Sequence, residues 1–274
     1  MENTIPSAKS GSDWSTKELS TYNIIIQTQS VVDFFGHELC PIEDSDLLSP
    51  YKPLTSIPTG IPKQTCRFLM YLNLISNPYS GDSALSAFAK SVLEVTDFHR
   101  QIHTLLYTLF DLPLTICGDN SREAILDICL VSSQLMPMIL LVGKRDKPAF
   151  GSSDPEPPVI AGAIAAFQYN NQNRAKMGLP TLETMTIPCI TVKGTRPLFY
   201  KVPVTRHLSD CVATGKIPME QTVVTRCGPP APPEPYEGME FLDYRCTALR
   251  YYYTFRDLAE GCWAPFLTGC KPNV

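Results

Sequence analysis

The sequence lacks the features that mark secreted and membrane proteins. No stretch approaches the roughly 18 apolar residues of a membrane span, and there is no Asn-x-Ser/Thr glycosylation sequon. The ten cysteines contain no Cys-x-x-Cys pair, and the first 14 residues are too polar for a secretory leader. We therefore expect an intracellular protein, cytoplasmic or nuclear, with no membrane partner. Cysteines in apolar runs, such as Cys117, Cys129 and Cys189, are then buried thiols in a reducing compartment.

Positive charge and the common nucleotide-binding motifs are also scarce. The chain carries 23 Lys and Arg against 27 Asp and Glu, a net charge of −4. This argues against a strongly electrostatic DNA-binding protein, because such affinity comes from neutralising phosphates. There is no P-loop, no Gly-x-Ser-x-Gly elbow and no dinucleotide-binding fingerprint. However, residues 193–216 hold five basic side chains and one acid, whereas residues 1–62 hold three basic and eight acidic. The local excess predicts nucleic-acid contacts at Lys193, Arg196, Lys201 and Arg206.

The apolar content is sufficient for a folded core. The chain has 274 residues, of which 44% are hydrophobic and 18% are charged, as is typical of a globular domain. The 25 prolines include dense stretches that predict rigid loops. We predict three parts: a tail, a short helix with a Ser15–Glu18 capping box and a proline-rich wrap in residues 1–62; an α/β core in residues 63–216; and a proline-rich linker with an amphipathic helix packed on that core in residues 217–274.

Apolar periodicity predicts the elements of the core. Apolar residues spaced three or four apart indicate helices, and continuous apolar runs rich in β-branched residues indicate buried strands. The predicted elements are helices at 63–76 and 81–98, strands at 112–118, 124–131 and 138–143, a helix at 153–178, two strands within 186–205 joined at Gly194-Thr195, a short helix ending at Gly215 and a C-terminal helix within 238–263.

This order of helix, three strands, helix and two strands is that of a restriction-endonuclease-like, PD-(D/E)XK, core, a central mixed sheet flanked by helices. Such nucleases hold one or two Mg²⁺ ions with clustered carboxylates, and the metal activates water and neutralises phosphate charge. The candidate metal ligands are Glu94 on the first helix and Asp127, which interrupts the apolar run AILDICLV. Asp146 and Lys147 follow the next strand, and Gln168 lies on the next helix. With Asp127, these three residues form the candidate catalytic set.

Each of these residues also has a structural interpretation. An unpaired carboxylate in a buried strand is costly, so Asp127 can instead accept a backbone hydrogen bond at a strand end. Glu94 and Gln168 can be ordinary polar residues of helices. The cations of residues 144–147 can form a solvated turn. The set as a whole favours a nuclease site, whereas no single member does.

Five segments carry a family resemblance over most of the chain: DWSTKELSTYNI, LPLTICGDNSREAILDICLV, DPEPPVIAGAIAAFQYNN, IPCITVKGTRPLFYKVPVT and GMEFLDYRCTAL. They resemble a family of uncharacterised proteins from mushroom-forming (basidiomycete) fungi. In that family a Thr-Asp-Val-Cys strand precedes a strand that ends in a sequence such as Val-Gln-Glu-Asp-Lys. The resemblance implies a PD-(D/E)XK ancestor in which Asp127 matches the strand acid.

The sequence departs from this family at the end of the third strand. A gapless match puts Lys144 where the family has Glu, and Asp146 where it has Lys. One inserted residue keeps Lys147 as the lysine but puts Arg145 at the acid position. In either alignment the acid-x-Lys pair is broken. A cation in place of the carboxylate removes a ligand and repels Mg²⁺, so catalysis should fall by orders of magnitude.

These observations favour a non-catalytic nuclease-like protein that acts as a nucleic-acid or protein interaction module. One alternative is a weakly active Mg²⁺-dependent nuclease in which Asp146 serves as a substitute ligand. Another is an accessory protein of a fungal small-molecule biosynthetic pathway, with a pocket between the core and the C-terminal helix. We expect no cofactor, or Mg²⁺ if the site is functional.

Overall fold

The fold is built on one seven-stranded mixed sheet with helices packed on both faces. The computed structural model describes residues 6–42, 45–49, 60–76, 80–101, 103–144, 154–232, 234 and 237–267. The strands are β1 (Ile24–Thr28), β2 (Thr104–Ile116), β3 (Asp119–Ser132), β4 (Pro137–Lys144), β5 (Thr184–Lys193), β6 (Arg196–Thr205) and β7 (Thr222–Cys227). The α-helices are α1 (Thr16–Thr21), α2 (Val31–Phe35), α3 (Lys63–Ser76), α4 (Asp82–Val95), α5 (Glu156–Lys176), α6 (Arg206–Thr214) and α7 (Leu242–Leu267). The predicted α/β class is therefore confirmed.

The strand order is β1-β7-β6-β5-β4-β3-β2. Two neighbouring pairs, β4 with β5 and β1 with β7, run parallel, and all other neighbours are antiparallel. The five predicted strands are present as β2 to β6, with longer bounds for the first three. The turn between β5 and β6 lies at Gly194-Thr195, as predicted, and Gly194 has a φ of 62° there. Such a left-handed conformation favours glycine in a tight hairpin.

The two outermost strands on one side were not predicted. β1 lies in the segment expected to form a tail, a short helix and a wrap, and β7 lies in the segment expected to form a linker. They pair with each other in parallel, Ile24 with Thr222, and β7 then pairs with β6. Segments on both sides of the predicted core therefore contribute to the central sheet. The predicted capping box of α1 is confirmed, because Glu18 and Ser15 bond each other's backbone and side chains.

Each face of the sheet has its own hydrophobic core. The first core lies under α3, α4 and α7, and the second lies under α5. The predicted apolar stripe of α5 is confirmed, since all its members are fully or nearly fully buried: Val159, Ile160, Ala163, Ile164 and Phe167. This helix crosses the sheet obliquely, because Glu156 at its start contacts β6 and β7, whereas Gln168 contacts β2.

The C-terminal helix packs on the first core largely as predicted. Ala248, Tyr252 and Phe255 are fully buried and Tyr244 is half-buried. Phe241 was expected on the same face, but α7 begins one residue later and the Phe241 ring is 50% exposed. None of the helices in the described ranges combines the length and the apolar character needed to cross a membrane.

The cysteines of the described ranges are all free thiols. Cys129 and Cys189 are fully buried, as predicted, and burial raises the pKa of both thiols above the usual range. Cys117 is only half-buried, because it lies in the turn after β2 with a φ of 51°. Its backbone N–H donates to the carbonyl of Val212 in α6 at 2.9 Å.

Candidate functional site

Asp127 lies where β3 stops pairing with β4. Main-chain pairing of these strands ends at Ile128 and Leu141. Just beyond that point the Asp127 carboxylate replaces a main-chain acceptor, since its Oδ2 accepts the N–H of Gly143 at 2.7 Å. The side chain is half-buried, where an unsatisfied backbone N–H would be costly. This bond matches the structural interpretation of Asp127. Its catalytic role stays a prediction.

Lys144, which follows Gly143, is the last residue of β4 and has basic residues beside it on the neighbouring strands. Lys144 is the parallel partner of Lys193 at the end of β5, and Lys193 lies opposite Arg196 at the start of β6. Neighbouring strands are about 4.8 Å apart, so three basic residues stand side by side on three consecutive strands. We call Lys144, Lys193 and Arg196 the basic strand-end cluster. The predicted catalytic residues Asp146 and Lys147 lie outside the described residues.

The basic strand-end cluster is held against the segment that precedes α7. Thr195, in the β5–β6 turn, donates to Glu240 Oε2 at 2.7 Å and accepts the N–H of Met239 at 3.0 Å. Burial raises the pKa of the Tyr244 phenol to about 12, and the nearby charge of Arg196 opposes this rise. The turn that carries two of the three cations is therefore fixed by hydrogen bonds.

Glu94 lies near the C-terminal end of α4, far from the end of β4. Gly143 packs against Leu85 near the start of this helix, since a β-carbon on the glycine would meet Leu85 Cδ2 at 3.0 Å. Glu94 lies about 13 Å further along the helix, at a rise of roughly 1.5 Å per residue. Within the described ranges no three His, Cys, Asp or Glu side chains are grouped so that they could hold a metal ion. These residues by themselves do not assemble the Mg²⁺ site that the nuclease prediction requires.

Gln168 is fully engaged with the backbone of β2. Its Nε2 donates to the carbonyl of Thr115 at 3.1 Å, and its Oε1 accepts the N–H of the same residue at 2.9 Å. The side chain is 8% exposed. It is therefore not a solvated helix residue, since its amide bonds the edge of the sheet. Its catalytic role stays a prediction.

Lys201 and Arg206, both predicted to contact nucleic acid, are bound to other parts of the protein. Lys201 Nζ donates to the carbonyl of Phe34 at 2.7 Å and lies 4.5 Å from the centre of that ring. Partial burial lowers the pKa of Lys201. Arg206 Nε pairs with Glu183 at 2.8 Å, and its Nη2 donates to Thr181 at 2.7 Å. Neither residue belongs to the basic strand-end cluster.

A buried polar network at the start of α5 is absent from the sequence prediction. The Glu156 carboxylate accepts from the Tyr200 hydroxyl at 2.8 Å and from Arg226 Nη1 at 2.5 Å. Thr191 shares a hydrogen bond with the same hydroxyl at 3.1 Å. Burial and the neighbouring carboxylate raise the pKa of Tyr200. Glu156 and Arg226 are 70 positions apart in the chain, so no local pattern signals their contact.

An open groove of about 440 Å³ lies between the proline-rich segment and the start of α7. Its walls combine prolines and aromatic rings with two carboxylates: Pro230, Pro232, Glu237, Phe241, Asp243 and Tyr244. The small-molecule alternative predicts a pocket between the core and the C-terminal helix, whereas the residues that line this groove belong to the predicted linker and to the helix itself. The groove adjoins the basic strand-end cluster through Tyr244, because the charge of Arg196 acts to lower the pKa of the Tyr244 phenol.

The arrangement is suited to binding an anion rather than to activating water. Three cations on adjacent strand ends attract phosphate or carboxylate groups. Two acids lie near these strand ends: Asp127 on β3 accepts the N–H of Gly143, and Glu240 accepts the hydroxyl of Thr195. No protein-family model matches the chain, and no curated protein matches it either.

Proposed function

We propose that this chain is a non-catalytic, nuclease-like domain that binds nucleic acid through the basic strand-end cluster. The observation that carries the proposal is the juxtaposition of Lys144, Lys193 and Arg196 on three consecutive strands. The order of α4, three strands, α5 and two strands supports a restriction-endonuclease-like core. In such a core the strand that corresponds to β4 ends in an acid-x-Lys pair. Here the last residue of β4 is Lys144.

The proposed binding is electrostatic and modest in strength. A protein that neutralises phosphates releases counterions, so its affinity falls with salt at a logarithmic slope of about −0.9 per phosphate contact on duplex DNA. Three cations therefore predict a slope between about −2 and −3. The net charge of −4 opposes long-range attraction, so we expect the cluster to bind only at low salt.

Fluorescence anisotropy with labelled duplex and single-stranded oligonucleotides tests this proposal. We expect Lys144→Ala, Lys193→Ala and Arg196→Ala each to weaken binding severalfold and to reduce the salt slope by about one. Lys176→Ala is the matched control, because Lys176 is an exposed lysine in the last turn of α5. Absence of binding at 50 mM salt, or equal weakening by the control, would overturn the proposal.

A calorimetric titration with Mn²⁺ separates this function from catalysis. We expect no saturable binding to the wild type, because the described carboxylates do not form a metal site. Saturable binding that disappears in Asp127→Asn, together with Mg²⁺-dependent cleavage of the same oligonucleotides, would instead establish the weakly active nuclease. Mn²⁺ is the probe because it binds oxygen ligands of the kind Mg²⁺ prefers.

A further inference from the structure

β2 is an edge strand of the sheet formed by the described residues, and its two halves are protected very differently. An edge strand presents unpaired backbone N–H and C=O groups, which can template pairing with another chain. Proteins normally cover or charge such edges. With 13 residues, β2 is also one of the two longest strands in the described sheet.

The C-terminal end of β2 is covered. Gln168 satisfies both backbone groups of Thr115. The backbone N–H groups of Cys117 and Gly118, in the turn that follows, donate to carbonyls of α6 at 2.9 and 2.7 Å. These contacts close this end of the edge to any further strand.

The middle of β2 carries two further protective residues. Pro113 has no N–H to offer, and proline within a sheet is confined to edge strands and bulges for that reason. Asp111 places an exposed charge on the edge. From Asp111 onward, the strand therefore has the features that natural proteins use against edge-to-edge pairing.

The N-terminal half has none of these features. Residues 104–110, Thr-Leu-Leu-Tyr-Thr-Leu-Phe, contain no charge, no proline and no glycine. Such a window of high β-propensity and low charge is the composition that favours intermolecular strand pairing. Three of its apolar side chains are exposed: Leu105 by 54%, Tyr107 by 41% and Leu109 by 68%.

Leu109 adds backbone strain to this exposure. Its φ of 54° lies in the left-handed region, which disfavours residues with a side chain. Such strain persists where other contacts over-determine the conformation. Within the single chain, the result is a strained leucine that is mostly in water.

We propose that residues 104–110 pair antiparallel with the same residues of a second copy of this chain, forming a two-fold dimer. Tyr107 is the midpoint of the seven residues, so a pairing centred on it brings the two uncharged runs together without placing like charges opposite each other. Regular main-chain pairing ends before Leu109, whose φ is 54°, so the exposed Leu109 side chain packs beside Leu105 of the other copy at the end of the ladder. The pairing is isologous and closes after two copies. The opposite edge of the described sheet, β1, has five residues, fewer than the seven of the uncharged run.

Analytical ultracentrifugation of the full chain, from 1 to 100 μM, tests the dimer. We expect the wild type to sediment at twice the mass of the chain, and Leu105→Lys/Leu109→Lys at the mass of one chain. Ile217→Lys is the control, because Ile217 is exposed by the same 54% as Leu105 but lies outside the sheet. A monomeric wild type, an open series of larger species, or a double variant that stays dimeric would each overturn the proposal.

Disulfide trapping tests the register of the pairing. Across an antiparallel pair, directly opposite α-carbons are about 4.5 to 5.5 Å apart, which suits a disulfide. The two copies of residue 107 would meet in this way, so Tyr107→Cys should form a covalent dimer on mild oxidation. The two copies of residue 105 would lie about 13 Å apart, so Leu105→Cys should not. Both are compared with the wild type, whose own cysteines set the background. Equal trapping at the two positions would exclude the proposed register.

Discussion

The side chain of Gln168 replaces a neighbouring strand for one residue of β2, because its amide bonds both the N–H and the C=O of Thr115. A glutamine amide can mimic a peptide group in this way, since it carries both a donor and an acceptor. The contact joins the far part of α5 to the edge of the sheet. It also explains why this glutamine is buried on a helix whose neighbouring Gln172 is exposed.

Gln168→Leu should therefore destabilise the fold. The substitution leaves the two backbone groups of Thr115 without partners, and each such loss costs about 1 to 3 kcal/mol in a buried site. We expect the free energy of unfolding in urea to fall by about 2 kcal/mol or more. Gln172→Leu, one turn further along the same helix, should change it by less than about 0.5 kcal/mol. Equal effects of the two substitutions would contradict the role assigned to Gln168.

Asp127 should tolerate the loss of its charge better than the loss of its oxygen. In Asp127→Asn an amide oxygen can still accept the N–H of Gly143, whereas in Asp127→Ala that N–H has no side-chain acceptor. A hydrogen bond to a charged group contributes about 1.5 to 3 kcal/mol, so the alanine variant should lose about that amount and the asparagine variant less. Urea unfolding of the two variants measures the difference. An asparagine variant as unstable as the alanine variant would mean that the negative charge itself is needed.

Two fully buried tyrosines should respond in opposite ways to removal of their hydroxyls. Tyr200 donates to Glu156, whereas the buried Tyr252 hydroxyl has no hydrogen-bond partner among the residues that the structure describes. Tyr200→Phe leaves part of the Glu156 network unsatisfied and should cost about 1 to 3 kcal/mol. Tyr252→Phe removes an unsatisfied polar group and should be neutral or stabilising. Thermal unfolding of both variants measures this, and a destabilised Tyr252→Phe would reveal a partner for that hydroxyl.

The core elements are predictable because each is specified locally. Apolar spacing predicts a helix over 63–76, where α3 lies, and Gly194 marks the turn between β5 and β6. The strands β1 and β7 escape prediction because they are short and because their pairing joins Ile24 to Thr222. Neither segment has enough length or alternation to stand out from the surrounding loops, and only the folded chain brings them together.

The candidate site is less predictable, because one sequence signal serves several roles. An acid inside an apolar strand fits both a metal ligand and a backbone acceptor, and the bond from Gly143 to Asp127 supports the second role. In the same way, four basic residues of segment 193–216 look alike in the sequence. The structure groups Lys193 and Arg196 with Lys144, whereas Lys201 is bound to Phe34. Contacts between distant segments decide these roles.

The Tyr244 phenol should make the fold sensitive to alkaline pH. Burial raises the pKa of Tyr244 to about 12, above the value of about 10 expected in the unfolded chain. Between these values the folded state holds a proton that the unfolded state has lost. The stability associated with this group is therefore complete below pH 10 and is lost as the pH rises towards 12.

Tyr244→Phe should lose less stability than the wild type over this range, by about 1 to 2 kcal/mol, since one pKa unit corresponds to about 1.36 kcal/mol. Urea unfolding at pH 9 and pH 11 measures the difference. A Tyr244→Phe variant with the pH dependence of the wild type would assign the alkaline sensitivity to the other buried tyrosines.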